Sequence, residues 1–174
     1  MNWAKAKDIL ILVLALTCLM LGIILVSDEV KAGRQDKLSA QTAVEYMKSE
    51  GASSICDMPL SRPKLPVLFI KYEEQSTGAL EKYQDYKVCK SGGDNIYPVL
   101  ISVGGQKAKI IPASSAMLSI MSQVDSIKNL SVDSVELVYH VDAGGATKGS
   151  QDTAMPAWKF STNKGEFFIN AYGQ

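Results

Sequence analysis

The chain is poor in the residues that most catalytic and metal sites use. Its 174 residues include one histidine and three cysteines. There is no C-x-x-C and no paired histidine, so the sequence offers no ligand set for zinc or a similar ion. No G-x-G-x-x-G occurs, and no G-K-[ST] opens an apolar helix, so the glycine pairs at 92–93, 104–105 and 144–145 read as turns and not as phosphate loops. The lone histidine, His140, ends an alternating strand without a nucleophile motif beside it, and is expected on the surface without a catalytic role. An excess of one charge is lacking too, because 18 Lys and Arg meet 18 Asp and Glu. A nucleic-acid partner needs a basic footprint to displace counterions, and this balance argues against that class. The expectation is a protein that is not an enzyme and carries no cofactor or metal.

Apolar residues are plentiful, at 47% of the chain, but unevenly spread. Residues 9–26 (ILILVLALTCLMLGIILV) hold no charge. As a helix this run spans roughly 27 Å, close to the hydrocarbon thickness of a bilayer. The short flank at 1–8 carries Lys5 and Lys7 against Asp8, which predicts a cytoplasmic N-terminus and an exported remainder, with Trp3 as an interfacial anchor. The run ends in Leu25-Val26-Ser27-Asp28 with no A-x-A pattern, so a retained single-pass anchor in the cell membrane is expected in place of a cleaved signal. Ala15, Cys18 and Gly22 fall on one helical face, a stripe of small residues that suits close approach of a partner helix.

Beyond the run, residues 27–37 are polar and read as a stalk or helical extension. Residues 38–50 form an amphipathic pattern with Ala40, Ala43, Val44 and Met47 on one face, closed by Gly51. Prolines 59, 63 and 66 mark 52–66 as irregular. Strands are expected at 67–72, 86–90, 96–103 and 107–111, with Gly104-Gly105 as a tight turn between the last two. Pro98 assigns its strand to a sheet edge or a bulge. A second helix follows Pro112, with Met117, Ile120, Met121 and Val124 at helical spacing. Residues 132–141 alternate, with Val135, Leu137, Tyr139 and Val141 on one face, and a Gly-rich loop at 142–155 leads to a hairpin of 157–161 and 166–171. These elements predict an α+β fold: a transmembrane helix at 9–26, then an extracytoplasmic domain at 38–174 of antiparallel sheet with two packed helices. The order helix-then-strands occurs twice, which admits two similar halves at 38–111 and 112–174. Cys56 and Cys89 both lie on the exported side; a disulfide between them and two free thiols are both open.

The C-terminus is the most distinctive stretch. Met155-Pro156-Ala157-Trp158-Lys159-Phe160, a Gly turn, and then Glu166-Phe167-Phe168-Ile169-Asn170-Ala171-Tyr172-Gly173-Gln174 resemble the closing pattern of YycI-like regulatory proteins, with Pro156, Trp158, Asn170, Ala171 and Gly173 as the motif positions. Val135 to Tyr139 resembles that family's penultimate strand, and Met1-Asn2-Trp3-Ala4-Lys5-Ala6-Lys7 its start. Two departures stand out: the chain is shorter than typical members, and the final turn lacks a residue usual between Asn-Ala and Gly. PepSY-type extracytoplasmic modules share a similar aromatic strand ending. The resemblance implies a membrane-anchored accessory protein that modulates a sensor histidine kinase of a cell-envelope two-component system, with a YycH-like membrane protein and membrane lipid as further partners. Read from the residues alone, the motif is chiefly structural: bulky aromatics alternating on a hairpin pack against a core. The alternatives are a PepSY-type module that restrains an envelope hydrolase, and a pilin-like subunit, disfavoured because Lys5-Ala6-Lys7-Asp8 is no pilin processing site.

Overall fold

The computed structural model describes residues 3–120, 122–124 and 126–172, with side chains over 13–21 and, within those ranges, from 34 onward. The chain divides into two compact units, Met1–Leu38 and Ser39–Gln174. Helix α1, Trp3–Ser49, contributes to both. In the first unit, Val13, Leu14, Leu16, Leu19, Met20 and Leu21 are each more than half exposed. Thr17 sits among them with its hydroxyl donating to the carbonyls of Val13 and Leu14, so its polar group is satisfied within the helix. Among the described residues no helix is long and apolar enough to cross a membrane. The apolar run of 9–26 continues past the described side chains at both ends.

In the second unit, α1 buries Ala43 and Met47, the face its apolar spacing predicts. It ends where glycine is needed. Gly51 takes φ +103°, its N–H bonds to Lys48 O, and Ala52 N–H bonds to Met47 O, a closure that satisfies the last carbonyls. Eight strands follow: β1 Ser54–Ile55, β2 Lys64–Glu73, β3 Lys82–Tyr83, β4 Tyr86–Ser91, β5 Tyr97–Lys109, β6 Ser131–Asp142, β7 Gln151–Thr162 and β8 Gly165–Asn170. Helix α2, Ala113–Ile120, lies between β5 and β6. The strand order is β3-β4-β6-β7-β2-β5, with β1 also on β6 and β8 also on β7.

This arrangement keeps the α+β class and corrects several finer expectations. The sheet is mixed, because β4 and β1 run parallel to β6. The strands of 38–111 and 112–174 interleave, since β6 and β7 from the second stretch stand between β4 and β2 from the first. Gly104-Gly105 is not a turn, for β5 runs straight through it. A register shift against Pro66 to Leu68 of β2 absorbs the glycines there, and a Cβ on Gly104 would stand 2.8 Å from Val67 Cγ2. Glycine at 104 permits close strand approach instead of a reversal. The 142–155 loop is shorter than expected, as β7 already begins at Gln151. Pro98 does lie on the outermost strand, as its missing N–H requires.

Two apolar clusters hold the sheet. One joins Ala43 and Met47 of α1 and Ala116, Met117 and Ile120 of α2 to Val132, Trp158, Phe160 and Ile169. The other gathers Leu68, Ile70, Tyr72, Tyr139, Val141 and Ala154, with Tyr83 and Tyr86 edge-on to Tyr139.

Substituting Gly104→Ala should lower the stability of the folded chain by about 1–3 kcal/mol, since the new methyl has no room. Val67→Ala in the same chain should return part of that loss. Gly105→Ala, with nothing within 4 Å of the added atom, should stay within about 0.5 kcal/mol. Thermal unfolding of the three variants checks this.

Candidate functional site

The alternation of β6 assigns a face to every residue. Val135, Leu137, Tyr139 and Val141 point into the core, so Glu136, Val138, His140 and Asp142 stand on the other face. Pairing then decides what meets them. The parallel register of β4 sets Cys89 opposite His140 and Ser91 opposite Asp142. The antiparallel register of β7 sets Met155 opposite His140 and Ala157 opposite Val138, and β8 sets Asn170 opposite Ala157 and Phe168 opposite Lys159. Because Ala157 is small, rings from β6 and β8 meet across β7. His140 stacks on Phe168 with centroids 4.3 Å apart and planes 17° from parallel.

These strands form a groove of about 250 Å³ lined by His140, Asp142, Asp152, Thr153, Met155, Ala157, Phe168 and Asn170. His140 Nε2 lies 2.8 Å from Ser91 Oγ. The imidazole is half-buried, contrary to the exposure expected from its strand position, because Phe168 covers it from two strands away. Burial pushes its pKa below the ordinary histidine value, and Asp142 partly opposes that. Asp142 Oδ1 accepts from Gly144 N at 3.0 Å. Asp152 Oδ2 accepts from the Tyr72 hydroxyl at 2.9 Å, and the same hydroxyl reaches the backbone carbonyl of Asp142 at 3.4 Å. Burial, then the bond to Asp152, drives the Tyr72 pKa far up, so this hydroxyl stays a donor. Beside the groove, Lys159 is held by Glu166 at 2.6 Å while its ammonium sits 5.8 Å from the Phe168 ring centre.

Ser91 and His140 touch, but among the described residues no carboxylate hydrogen-bonds to the other imidazole nitrogen, so the orienting third group of a nucleophilic triad is not in place. No group of three His, Cys, Asp or Glu among the described residues could hold a metal ion. The groove was not foreseen in the sequence. Its residues come from three strands whose registers are long-range, and the only local signal was the period-two spacing of Phe168 with Asn170 and of His140 with Asp142.

The residues singled out in the sequence fall elsewhere. Ala15 and Cys18 are exposed on α1, while the burial of Gly22 lies outside the described residues. Cys56 and Cys89 are free thiols, each pushed up in pKa chiefly by burial. Their bridging is excluded by topology. Cys56 N–H bonds to Val132 O near the start of β6, and Cys89 pairs with His140 near its end. That interval is roughly 25 Å along a strand, against about 7 Å at most between the Cα atoms of a disulfide.

The C-terminal motif residues, by contrast, converge. Trp158 is buried and its indole N–H donates to Ile111 O at 2.9 Å. Ile111 N–H bonds to Ala171 O, and Ala171 N–H bonds to Pro156 O. Asn170 Oδ1 caps Tyr172 N at 2.8 Å. The motif ties the end of β8 to the link between β5 and α2, which is a structural role; Gly173 lies outside the described residues. No protein-family model and no curated protein matches the chain.

Two predictions follow from this geometry. Trp158→Phe should destabilise the fold by about 1–3 kcal/mol through the orphaned Ile111 carbonyl, and Trp158→Ala by about 3–5 kcal/mol, both read by denaturant unfolding. As the only histidine, His140 gives a single imidazole NMR signal, and its titration midpoint should lie below about 6.5. The unfolded chain therefore binds the proton more readily than the folded one. The stability tied to a neutral His140 is present above about pH 6.5 and is lost as the pH falls through the folded-state value. His140→Gln should flatten that part of the stability profile, whereas an unchanged profile would remove His140 from the account.

Proposed function

We propose that the chain is a membrane-anchored, non-enzymatic regulatory protein of YycI-like kind, which biases a sensor histidine kinase of the cell envelope. Residues 9–26 form the single transmembrane anchor, the N-terminus is cytoplasmic, and the unit from Ser39 onward is extracytoplasmic. The observation that carries this reading is the set of six large apolar side chains over residues 13–21, each more than half exposed. Exposed to water, such a surface is costly; in lipid, or against a partner helix, it is at home. The uncharged run of 9–26 and the lysines before it support the same assignment. The C-terminal resemblance supplies the kind of partner: a kinase, with a YycH-like protein beside it.

Regulation of this kind requires the protein to bind one kinase state better than the other. A tenfold preference, about 1.4 kcal/mol, shifts the kinase equilibrium tenfold, and equal affinity for both states shifts nothing. The stripe of Ala15, Cys18 and Gly22 is the face through which the anchor meets the kinase.

The test is a crosslinked pull-down of the tagged full-length chain from solubilised membranes, beside a variant whose residues 9–26 are replaced by an unrelated apolar span. Recovery of a sensor kinase with the native span and its loss with the replacement is the expected result. Recovery with both would move the contact to the exported unit. An envelope hydrolase in place of any kinase would overturn the kinase reading and favour the PepSY-type inhibitory module.

A further inference from the structure

The two ends of the sheet are finished differently. At one end β3 is two residues long and carries Lys82, a short and charged edge of the kind that resists further pairing. At the other, β5 runs from Tyr97 to Lys109 with β2 on one side and, among the described residues, no strand on the other. Beyond its end, Ile110 bridges to Tyr172. From Tyr97 to Gln106 the strand holds no charge. Its backbone directions follow from β2. Tyr72 N–H and C=O bond to Ser150 O and Gly149 N–H, so they turn away from β5. Pro98, opposite Tyr72, therefore turns its own backbone outward, and Leu80 N–H bonds to its carbonyl there at 2.7 Å. Alternation along β2 gives the same outward direction to the residues opposite Ile70, Leu68 and Pro66, which are Leu100, Val103 and Lys107. The extra residues of β5 fall between them, so these three sets of N–H and C=O groups stand at even intervals of roughly 7 Å along an open edge. Ile101 and Val103 on that edge are 48% and 40% exposed.

We propose that β5 pairs antiparallel with β5 of a second copy of this chain, on a two-fold axis at Val103. In that register Val103 meets Val103 of the other copy, and Leu100 of each meets Lys107 of the other. Each such pair exchanges two hydrogen bonds, so the outward groups of both strands are satisfied. The pairing stops at Pro98, which has no N–H and whose carbonyl Leu80 already holds. Charge favours the same register. Lys107 and Lys109 have no ion-pair partner among the described residues, and neither has the exposed Glu81 that follows Leu80. The axis at Val103 delivers Lys109 of one copy to Pro98, Leu80 and the adjoining Glu81 of the other. A shift toward Lys109 would instead bring Lys107 of both copies together, and like charges across a strand pair repel. The seam also covers Ile101 and Val103 of both copies, removing apolar surface from water. This contact is independent of the kinase reading, which rests on residues 9–26.

Disulfide trapping reads this register directly. The full-length chain in detergent micelles has Cys18, Cys56 and Cys89 replaced by Ser. Copies with Leu100→Cys are then mixed with copies with Lys107→Cys under mild oxidation. Residues of a hydrogen-bonded antiparallel pair stand about 5.5 Å apart at Cα, within reach of a disulfide, whereas each new Cys and its own symmetry mate stand roughly 14 Å apart. The expected result is disulfide-linked dimer in the mixture at about ten times the yield of either variant alone. Adding Val103→Lys to both variants sets like charges on the two-fold axis and should remove the dimer. Val103→Lys in one and Val103→Glu in the other should restore it. Recovery of the dimer by that combination also shows that neither substitution unfolds the chain. A dimer held through α1 or any other surface gives equal yields in the mixture and in the single variants. That result, a mixture without linked dimer, a dimer indifferent to Val103→Lys, or no recovery with the Lys and Glu combination would each overturn the pairing.

Discussion

Strand β7 must satisfy three partners with two edges, and the rest of the sheet is arranged around that demand. One edge pairs with β6 from Met155 to Thr162. The other is divided: Gln151 to Ala154 pair with β2, and Ala157 to Thr162 pair with β8. The handover falls at Met155-Pro156. A proline inside a strand removes a ladder donor, but here it sits where one partner has ended and the next has not begun, so little is lost. Its carbonyl instead receives Ala171 N–H, which sets the end of β8 against the junction. The divided edge also interleaves the early and late parts of the chain. Strand β2, early in sequence, needs β7, and β7 needs both β6 and β8.

The hairpin of β7 and β8 therefore makes the core and the groove at once. Its inward residues, Trp158, Phe160 and Ile169, join the cluster that α1 and α2 cover. Its outward residues, Met155, Phe168 and Asn170, line the groove. Strand periodicity forces this division, because neighbours on a strand face opposite ways. A C-terminal pattern held in place by packing thus also positions the side chains that line the groove. The Trp158 to Ile111 bond and the Asn170 cap fix the backbone from which Phe168 projects. Pre-organisation of the groove comes from the core side of the same two strands.

Features governed by local physics were legible in the sequence. The apolar stripe through Ala43 and Met47, the helix end at Gly51, the inward face of β6 and the hairpin of β7 and β8 all depend on neighbours within a few residues. What failed depended on distant pairing. Gly104-Gly105 has the composition of a turn, yet the register with Val67 decides that the strand continues. Cys56 and Cys89 look equally eligible for a bridge until β6 sets them at its two ends. His140 looks exposed until Ala157 leaves room for Phe168 to reach it. Ser91 gains its contact only because β4 runs parallel to β6, a pairing that no hairpin signal announces. The residues at 13–21 show the opposite case, in which local apolar character is legible and six large side chains stay more than half exposed.

Burial of the His140 ring has a consequence for the groove it borders. The groups around it are Ser91 and Cys89 on β4, Asp142 on its own strand, Met155 on β7 and Phe168 on β8. Only Asp142 among them favours the charged imidazole, and desolvation outweighs it. The ring is thus held neutral where an exposed histidine would begin to charge. The aromatic stack therefore sets the charge of the groove, since the burial that Phe168 imposes on His140 suppresses positive charge there.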